Sequence, residues 1–333
     1  MRIIRGLIVL ASLATAAPAQ DTHVSVYADI VFRSASDGGK NGFTYGAFDV
    51  FLQSQLTPRL TFLSELVFER ANDGTFGPDL ERVQVTYVAS EALRVTAGRF
   101  HSPLGYWNTA YHHGGIMQPV IERPRATAYE DGPGLVNMHT LGLMISGRNI
   151  SGLHLAYDLA YGGHLDADAN LHGLNAARVV GSVYAEPLHG LRVGVSGDID
   201  RYLVGALTQI DGDSLKNAMN SAIIGGFIRV KNDALELIGE IHNVQHSYGA
   251  PGSFVSSGGF VYGGYTVGKW APYAMWQSLK IDRGDPFYAL RDTRSGVLGT
   301  RYEVSEKAIL KFEGRYNQVT QAGSFGAQIA IGF

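Results

Sequence analysis

Apolar and polar residues alternate with a period of two over most of the chain. Between residues 191 and 201, Leu191, Val193, Val195 and Ile199 fall on one face and Arg192, Ser196, Asp198 and Asp200 on the other. The same alternation sets Leu60, Phe62, Leu66 and Phe68 against Glu65 and Glu69, and Leu310, Phe312 and Tyr316 against Lys311, Glu313 and Arg315. Period-two alternation over about ten residues is the mark of a half-buried strand. Sixteen such strands are predicted, at 23–33, 43–56, 60–70, 79–89, 93–100, 139–146, 153–162, 174–184, 191–201, 220–230, 234–246, 254–267, 272–282, 294–302, 308–317 and 324–333.

Every second connector is short, as at Thr57–Arg59, Ser90–Ala92 and Lys231–Asp233. The others are longer and richer in Gly, Asp and Asn. An even number of strands with short turns at one end and long loops at the other predicts an all-β fold: a transmembrane antiparallel β-barrel of about sixteen strands. A large soluble sandwich or propeller is the competing architecture, but no blade-length repeat is present. The longest break in the alternation is Gly98–His139, which carries Pro103, Pro119, Pro124 and Pro133, several aromatics and a mixed charge cluster. A long aromatic loop in a strand protein reads as functional, not as a disordered linker. We expect it to fold into the barrel's interior.

Residues 1–19 read as a secretory signal peptide. Arg2 and Arg5 precede the apolar stretch Gly6–Ala16, and Ala17-Pro18-Ala19 is a cleavage site of the small-x-small type. Residues 20–333 then form one barrel domain. The 27 Lys+Arg and 30 Asp+Glu give a formal charge of −3, and loss of Arg2 and Arg5 with the leader makes it two units more negative. Nothing in that balance points to nucleic acid. Cysteine is absent, which excludes disulfides and thiolate zinc sites. Charged residues make up 17% of the chain, below the roughly 25% of soluble proteins, and Gly, Tyr and Phe are abundant.

The terminal segment GSFGAQIAIGF ends its alternation on Phe333, and AGRFHSPLGYWNTAYHHG spans Ala97–Gly114. With the two classes of connector, these make the chain resemble the Gram-negative outer-membrane porins. The architectural resemblance covers the whole mature chain. The Ala97–Gly114 segment resembles the strand-to-loop junction of the phosphate-selective type. The resemblance implies an outer-membrane location, a third outer loop that narrows the pore, and barrel assembly through the Phe333 strand. It also implies a homotrimer and no cofactor. The mature chain's acidic balance departs from the basic pathway of phosphate-selective relatives.

For such a protein the chemistry is passage, and the partners are the bilayer and small hydrophilic or charged solutes. Pores select by diameter, rings of charge and wall hydrogen bonds. Loop residues Glu122, Arg123, Arg125, Glu130 and Asp131 are candidates for the constriction, opposed by wall residues Arg33, Arg82, Lys311 and Arg315. Either loop carboxylates and wall arginines form a transverse field, or the charges pair and pin the loop. Arg192 and Arg229, with Asp158, Asp198, Glu236, Glu240 and Glu313, are further lumen candidates. A substrate-specific anion, phosphate or carboxylate channel is one alternative function; a plugged adhesive or enzymatic barrel is another.

His101, His112, His113 and His139 show no tight metal spacing, and Ser102 beside His101 lies in no GxSxG elbow, so neither a metal site nor an enzyme is expected. Phe100, Tyr106, Trp107, Tyr111 and Tyr129 read as loop anchors. Tyr157, Tyr262, Trp270, Tyr273, Trp276, Tyr302 and Tyr316 read as interfacial girdle aromatics.

Overall fold

A computed structural model describes residues 21–36, 41–70, 76–111, 114–129, 134–163, 178–210, 213–249 and 251–333. Sixteen antiparallel strands close on themselves. They are β1 (Asp21–Ala35), β2 (Gly42–Thr57), β3 (Leu60–Arg70), β4 (Phe76–Ser90), β5 (Leu93–His101), β6 (His139–Ile150), β7 (Leu155–Gly163) and β8 (Arg178–Leu188). The ring continues with β9 (Leu191–Tyr202), β10 (Met219–Lys231), β11 (Leu235–Tyr248), β12 (Ser253–Tyr265), β13 (Trp270–Lys280), β14 (Thr293–Ser305), β15 (Ala308–Asn317) and β16 (Ala322–Gly332). Each strand pairs with its sequence neighbours, and β1 with β16 closes the ring.

The count and order match the sequence reading, and the differences lie at the ends. β6 and β8 run past the predicted turns at 147–152 and 185–190. Register shifts between Gly147 and Ile150 and between Ala185 and Leu188 absorb the extra residues. Leu153 and His154 therefore sit in a turn, where Ser151 and His154 take positive φ. Residues 174–177, predicted as the start of the eighth strand, lie outside the described residues.

The burial pattern is inside out. On β9 the buried residues are Ser196, Asp198 and Asp200, whereas Val193, Val195 and Ile199 are exposed. Glu65, Glu240, Lys311, Glu313 and Gln328 are buried on the inner face of other strands. Ile224, Ile241, Val261 and Leu298 stand exposed on the outer face. Charge inside and aliphatic residues outside is the arrangement a barrel needs where lipid replaces water on its outer surface. Gly98, Gly142 and Gly162 lie abreast across β5, β6 and β7. A Cβ on any of them would meet a neighbouring strand's carbonyl oxygen at 2.0–2.2 Å, so glycine is required where these backbones close up.

The inner face is not uniformly polar. Trp107 and Val120 pack against Phe227, Phe260, Tyr262, Tyr273, Met275 and Val297 of β10 and β12–β14. A second apolar cluster joins Phe100, Leu104, Leu135 and Val136 to Tyr202, Leu215, Phe287 and Tyr288 near the ends of the strands that carry long connectors. Tyr262 and Tyr273 thus correct the girdle assignment: both point inward, and the Tyr273 hydroxyl donates to Glu313 at 3.0 Å. β12 is apolar on both faces because Trp107 covers its inner side, so alternation does not tell inside from outside there. Trp270, Trp276 and Tyr316 are exposed, and Trp270 packs on Tyr302 with ring centroids 4.5 Å apart.

Ile241 is 64% exposed at the middle of β11. Ile241→Arg is expected to destabilise the folded barrel by roughly 2–4 kcal/mol, with Ile241→Leu near neutral. Urea titration of vesicle-inserted protein measures both. Equal stability of the two variants would mean that this face does not meet lipid.

Candidate functional site

The segment 102–138 between β5 and β6 holds one short helix, α1 (Trp107–Ala110), and a 3-10 turn at Arg125–Thr127. Its neck is tied shut. Ser102 N–H donates to the Met138 carbonyl at 2.7 Å, and the Asn108 amide donates to the carbonyls of Ser102 and Met138 at 2.8 and 3.2 Å. Beyond the neck, Arg178 of β8 is fully buried. It forms a fork on Asp198 at 2.7–3.1 Å and donates to the His139 carbonyl at 2.7 Å. Such a two-pronged guanidinium–carboxylate contact fixes geometry as well as charge.

From the neck the segment meets the wall strand by strand. Gly105 N–H donates to Ser196 Oγ of β9 at 3.0 Å. The first amides of α1 converge on one carboxylate: Tyr106 and Trp107 N–H both donate to Glu240 Oε2, at 2.8 and 2.9 Å. His242 holds the other oxygen of Glu240 at 2.7 Å. The Tyr111 hydroxyl donates to Glu236 at 2.7 Å; burial, with Glu236 beside it, holds that hydroxyl protonated far above the ordinary tyrosine range. Trp107 lies edge-on to Phe260 at 5.3 Å and is fully buried.

The segment then reaches β1, β2 and β15. Gly114 N–H donates to Asp49 at 3.1 Å, and Ile121 N–H to Glu313 at 3.0 Å. Lys311, fully buried, donates to the carbonyls of Gly115 and Val120 at 2.6 and 3.0 Å. Glu122 accepts from Arg33 at 3.0 Å and lies 3.7 Å from Arg315. Burial opposes ionisation of Glu122, but Arg315 and Arg33 prevail and hold its carboxyl below the ordinary range. Arg125 N–H donates to Gln277 of β13 at 2.7 Å, and Asn137 to the Tyr202 hydroxyl at 3.0 Å.

Of the sequence candidates, the structure brings Glu122, Arg33 and Arg315 together and sets Lys311 on loop carbonyls. Arg82 pairs with Glu65 on the adjacent strand and not with the loop. Arg123 turns back on the segment itself, donating to the Thr127 carbonyl at 3.3 Å. Glu130, Asp131, His112 and His113 lie outside the described residues. No metal-binding group of three or more His, Asp or Glu occurs among the described residues. His139 instead pairs with Glu81 at 2.9 Å, and its ring lies 5.3 Å from that of His101.

Sequence reasoning missed Glu81, Arg178 and Asp285. Asp285, in the connector 281–292, accepts from His246 and Tyr248, both at 2.7 Å. Burial raises its pKa, but the His246 and Tyr248 hydrogen bonds outweigh that and leave it lowered. Only the long-range folding of the chain brings these groups together.

A closed sixteen-stranded antiparallel ring with an apolar exterior, a charged interior and a long third loop bonded to its wall has the fold of the outer-membrane porins. Among solved structures, the chain is similar to a loop-deletion form of OmpT, an outer membrane protein of Vibrio cholerae (TM-score 0.67, 14% identity, 95% of this chain and 100% of that one). It is similar also to an anion-selective porin from Comamonas acidovorans (TM-score 0.66, 12% identity, 95% and 100%) and to Salmonella typhi OmpF in complex with daunomycin (TM-score 0.64, 12% identity, 94% and 97%). At these identities the likeness is one of fold. No family model and no curated sequence matches the chain.

Two predictions follow from the anchors. Glu240→Ala leaves two buried amide donors without their acceptor, at about 1–3 kcal/mol each. Proteolytic nicking at residues 102–111 should then rise at least roughly tenfold, as mapped by mass spectrometry of fragments, while the strands stay intact.

The Glu122 anchor has a lowered pKa, so its contribution is complete above the ordinary carboxyl value of 4.5 and is lost as pH falls through the lowered value. Hydrogen exchange at residues 116–123, corrected for the intrinsic rate, should hold constant from pH 7 to that point and accelerate below it. Glu122→Gln should remove the acid step. A wild-type step above pH 4.5 would contradict the assignment.

Proposed function

We propose that this protein is an outer-membrane porin of a Gram-negative bacterium: a water-filled channel for passive diffusion of small hydrophilic or charged solutes. One observation carries the reading. The segment 102–138 bonds to β1 and β2 and also to β9, which lies halfway round the ring. A segment that reaches both sides of a closed wall crosses its interior, so we read it as the constriction. Because Glu122 is paired with Arg33 and Arg315, the charges pin the loop in place. The open path then runs beside the loop, away from the arc packed around Trp107.

The chain's ends fit this picture. Phe333 exchanges backbone hydrogen bonds with Val26 at 2.8 and 3.0 Å, so the last strand is both the seam of the barrel and the segment offered to the assembly machinery. A homotrimer is proposed on the resemblance; one of the similar OmpT structures is described as a trimer form. A second reading, a plugged barrel, draws on the apolar cluster that joins Leu104 and Val136 to Phe287 and Tyr288.

Single-channel recording of refolded mature protein in planar bilayers separates the two. Discrete steps are expected, and deletion of residues 114–129 should enlarge them. A reversal potential under a salt gradient gives the ion preference. A folded, heat-modifiable barrel that never conducts would overturn the diffusion reading in favour of the plug.

A further inference from the structure

The inner wall carries a column of side chains that neither closure of the barrel nor anchoring of the loop requires. Arg192 of β9 and Arg229 of β10 are direct cross-strand partners. Like charges placed opposite each other on one face destabilise a sheet unless something lies between or beside them. Here the Tyr106 ring from the loop does so, with the guanidinium carbons of Arg229 and Arg192 at 5.7 and 5.9 Å from its centroid.

The stack continues along the wall. Arg192 lies 5.0 Å from the Tyr184 ring of β8, and Arg148 of β6 lies 5.5 Å from the same ring. Guanidinium and ring alternate through Arg229, Tyr106, Arg192, Tyr184 and Arg148. All five sit toward the ends of the strands that carry the short turns, as Arg192 follows the 189–190 turn and Arg229 precedes the 232–234 turn.

The carboxylates beside the column do not match it. Arg148 pairs with Asp158 at 2.6 Å. Arg192 meets Glu186 at 3.4 Å. Glu236 is divided among Arg229 at 3.4 Å, Lys231 at 3.6 Å and the Tyr111 hydroxyl. Arg192 Nε is buried and has no hydrogen-bond partner. Yet the Arg192 and Arg148 side chains are each 32% exposed, so water and solute reach them.

We propose that this Arg–Tyr column is a binding subsite for planar organic anions, in particular aromatic carboxylates, at the short-turn mouth of the lumen. The assignment rests on the interior being water-filled. The chemistry is twofold. A guanidinium offers a carboxylate a planar fork of donors. The faces of Tyr184 and of the guanidinium groups accept a flat ring by stacking. Both recognition elements recur along the column, so an anion can pass from Arg148 to Arg192 to Arg229 while keeping a ring face and a positive charge within reach. A spherical or purely aliphatic anion uses only half of this surface.

Isothermal titration of the refolded barrel in detergent tests the site without requiring conduction, with sodium benzoate, cyclohexanecarboxylate and inorganic phosphate as probes. Benzoate should bind about fivefold more tightly than cyclohexanecarboxylate, the increment expected of a ring over an arginine or aromatic face. Tyr184→Leu should weaken benzoate by a similar factor and leave cyclohexanecarboxylate unchanged. Arg192→Gln should weaken both carboxylates about tenfold through loss of a charge-assisted pair. Arg192→Lys, which retains the charge and removes the flat fork, should fall between.

Absence of benzoate binding in the wild type overturns the subsite, as do equal affinities for the two carboxylates, tighter binding of phosphate, or variants that bind like the parent. A protein that conducts yet fails this titration loses only the subsite. A protein that binds benzoate yet never conducts loses the channel reading and keeps the anion chemistry of the column.

Discussion

The pairing of β1 with β16 is the constraint on which the structure depends. Within lipid no water is available for an unpaired backbone amide or carbonyl, so a sheet at membrane depth must have no edge. The ladder from Tyr27 opposite Gly332 to Ala35 opposite Ser324 removes that edge, and Val26 with Phe333 extends it to the last residue. Once the ring is shut, strand alternation has a fixed meaning, because one face looks out and the other in. The burial of Asp29, Asp49, Glu65, Asp198 and Glu240 follows from closure and not from any local preference of those residues.

A polar interior creates its own demand. Buried charges need partners, and a wall that supplies only neighbouring strands cannot satisfy them all. Much of the deficit is met by the loop's backbone. Glu240 takes two amides from Tyr106 and Trp107, Asp49 takes one from Gly114, and Lys311 gives to two carbonyls. The same bonds that satisfy the wall therefore hold the loop. Where the wall is apolar instead, at Phe227, Phe260 and Tyr262, the loop presents Trp107 and Val120. Loop and wall are complementary in both chemistries, which leaves the interior asymmetric: one arc is packed with aromatic and aliphatic side chains, and the other is lined by Arg33, Arg82, Glu122 and Arg315.

The architecture was legible in the sequence because it is written locally. Alternation on β9 or β15 involves residues two apart, and short turns such as 57–59 announce themselves in three letters. Parity failed on β12, where Val255 and Val261 on one face and Phe260 and Tyr262 on the other are all apolar. Only Trp107, far away in sequence, explains why the inner face is apolar there. The site was legible in part for the same reason. Glu122, Arg33, Lys311 and Arg315 were recognisable as polar-face or loop charges, but the 89 positions between Arg33 and Glu122 are bridged by closure of the barrel, not by spacing. Asp285 with His246, and Glu81 with His139, join segments whose encounter depends on the strand register of several hairpins and has no signature in either segment alone.

The bonds from segment 102–138 to β1, β2, β9, β11, β13 and β15 also have a mechanical meaning. A thin ring of strands is softest toward flattening, in which opposite sides approach and the cross-section becomes an ellipse. A segment fastened to the wall on several sides works as a tie-rod against that mode, holding the diameter between the Ser196 and Asp49 attachments. The loop that we read as narrowing the opening thereby keeps the opening round, and the stiffness of the whole cylinder is set by a handful of hydrogen bonds at its waist.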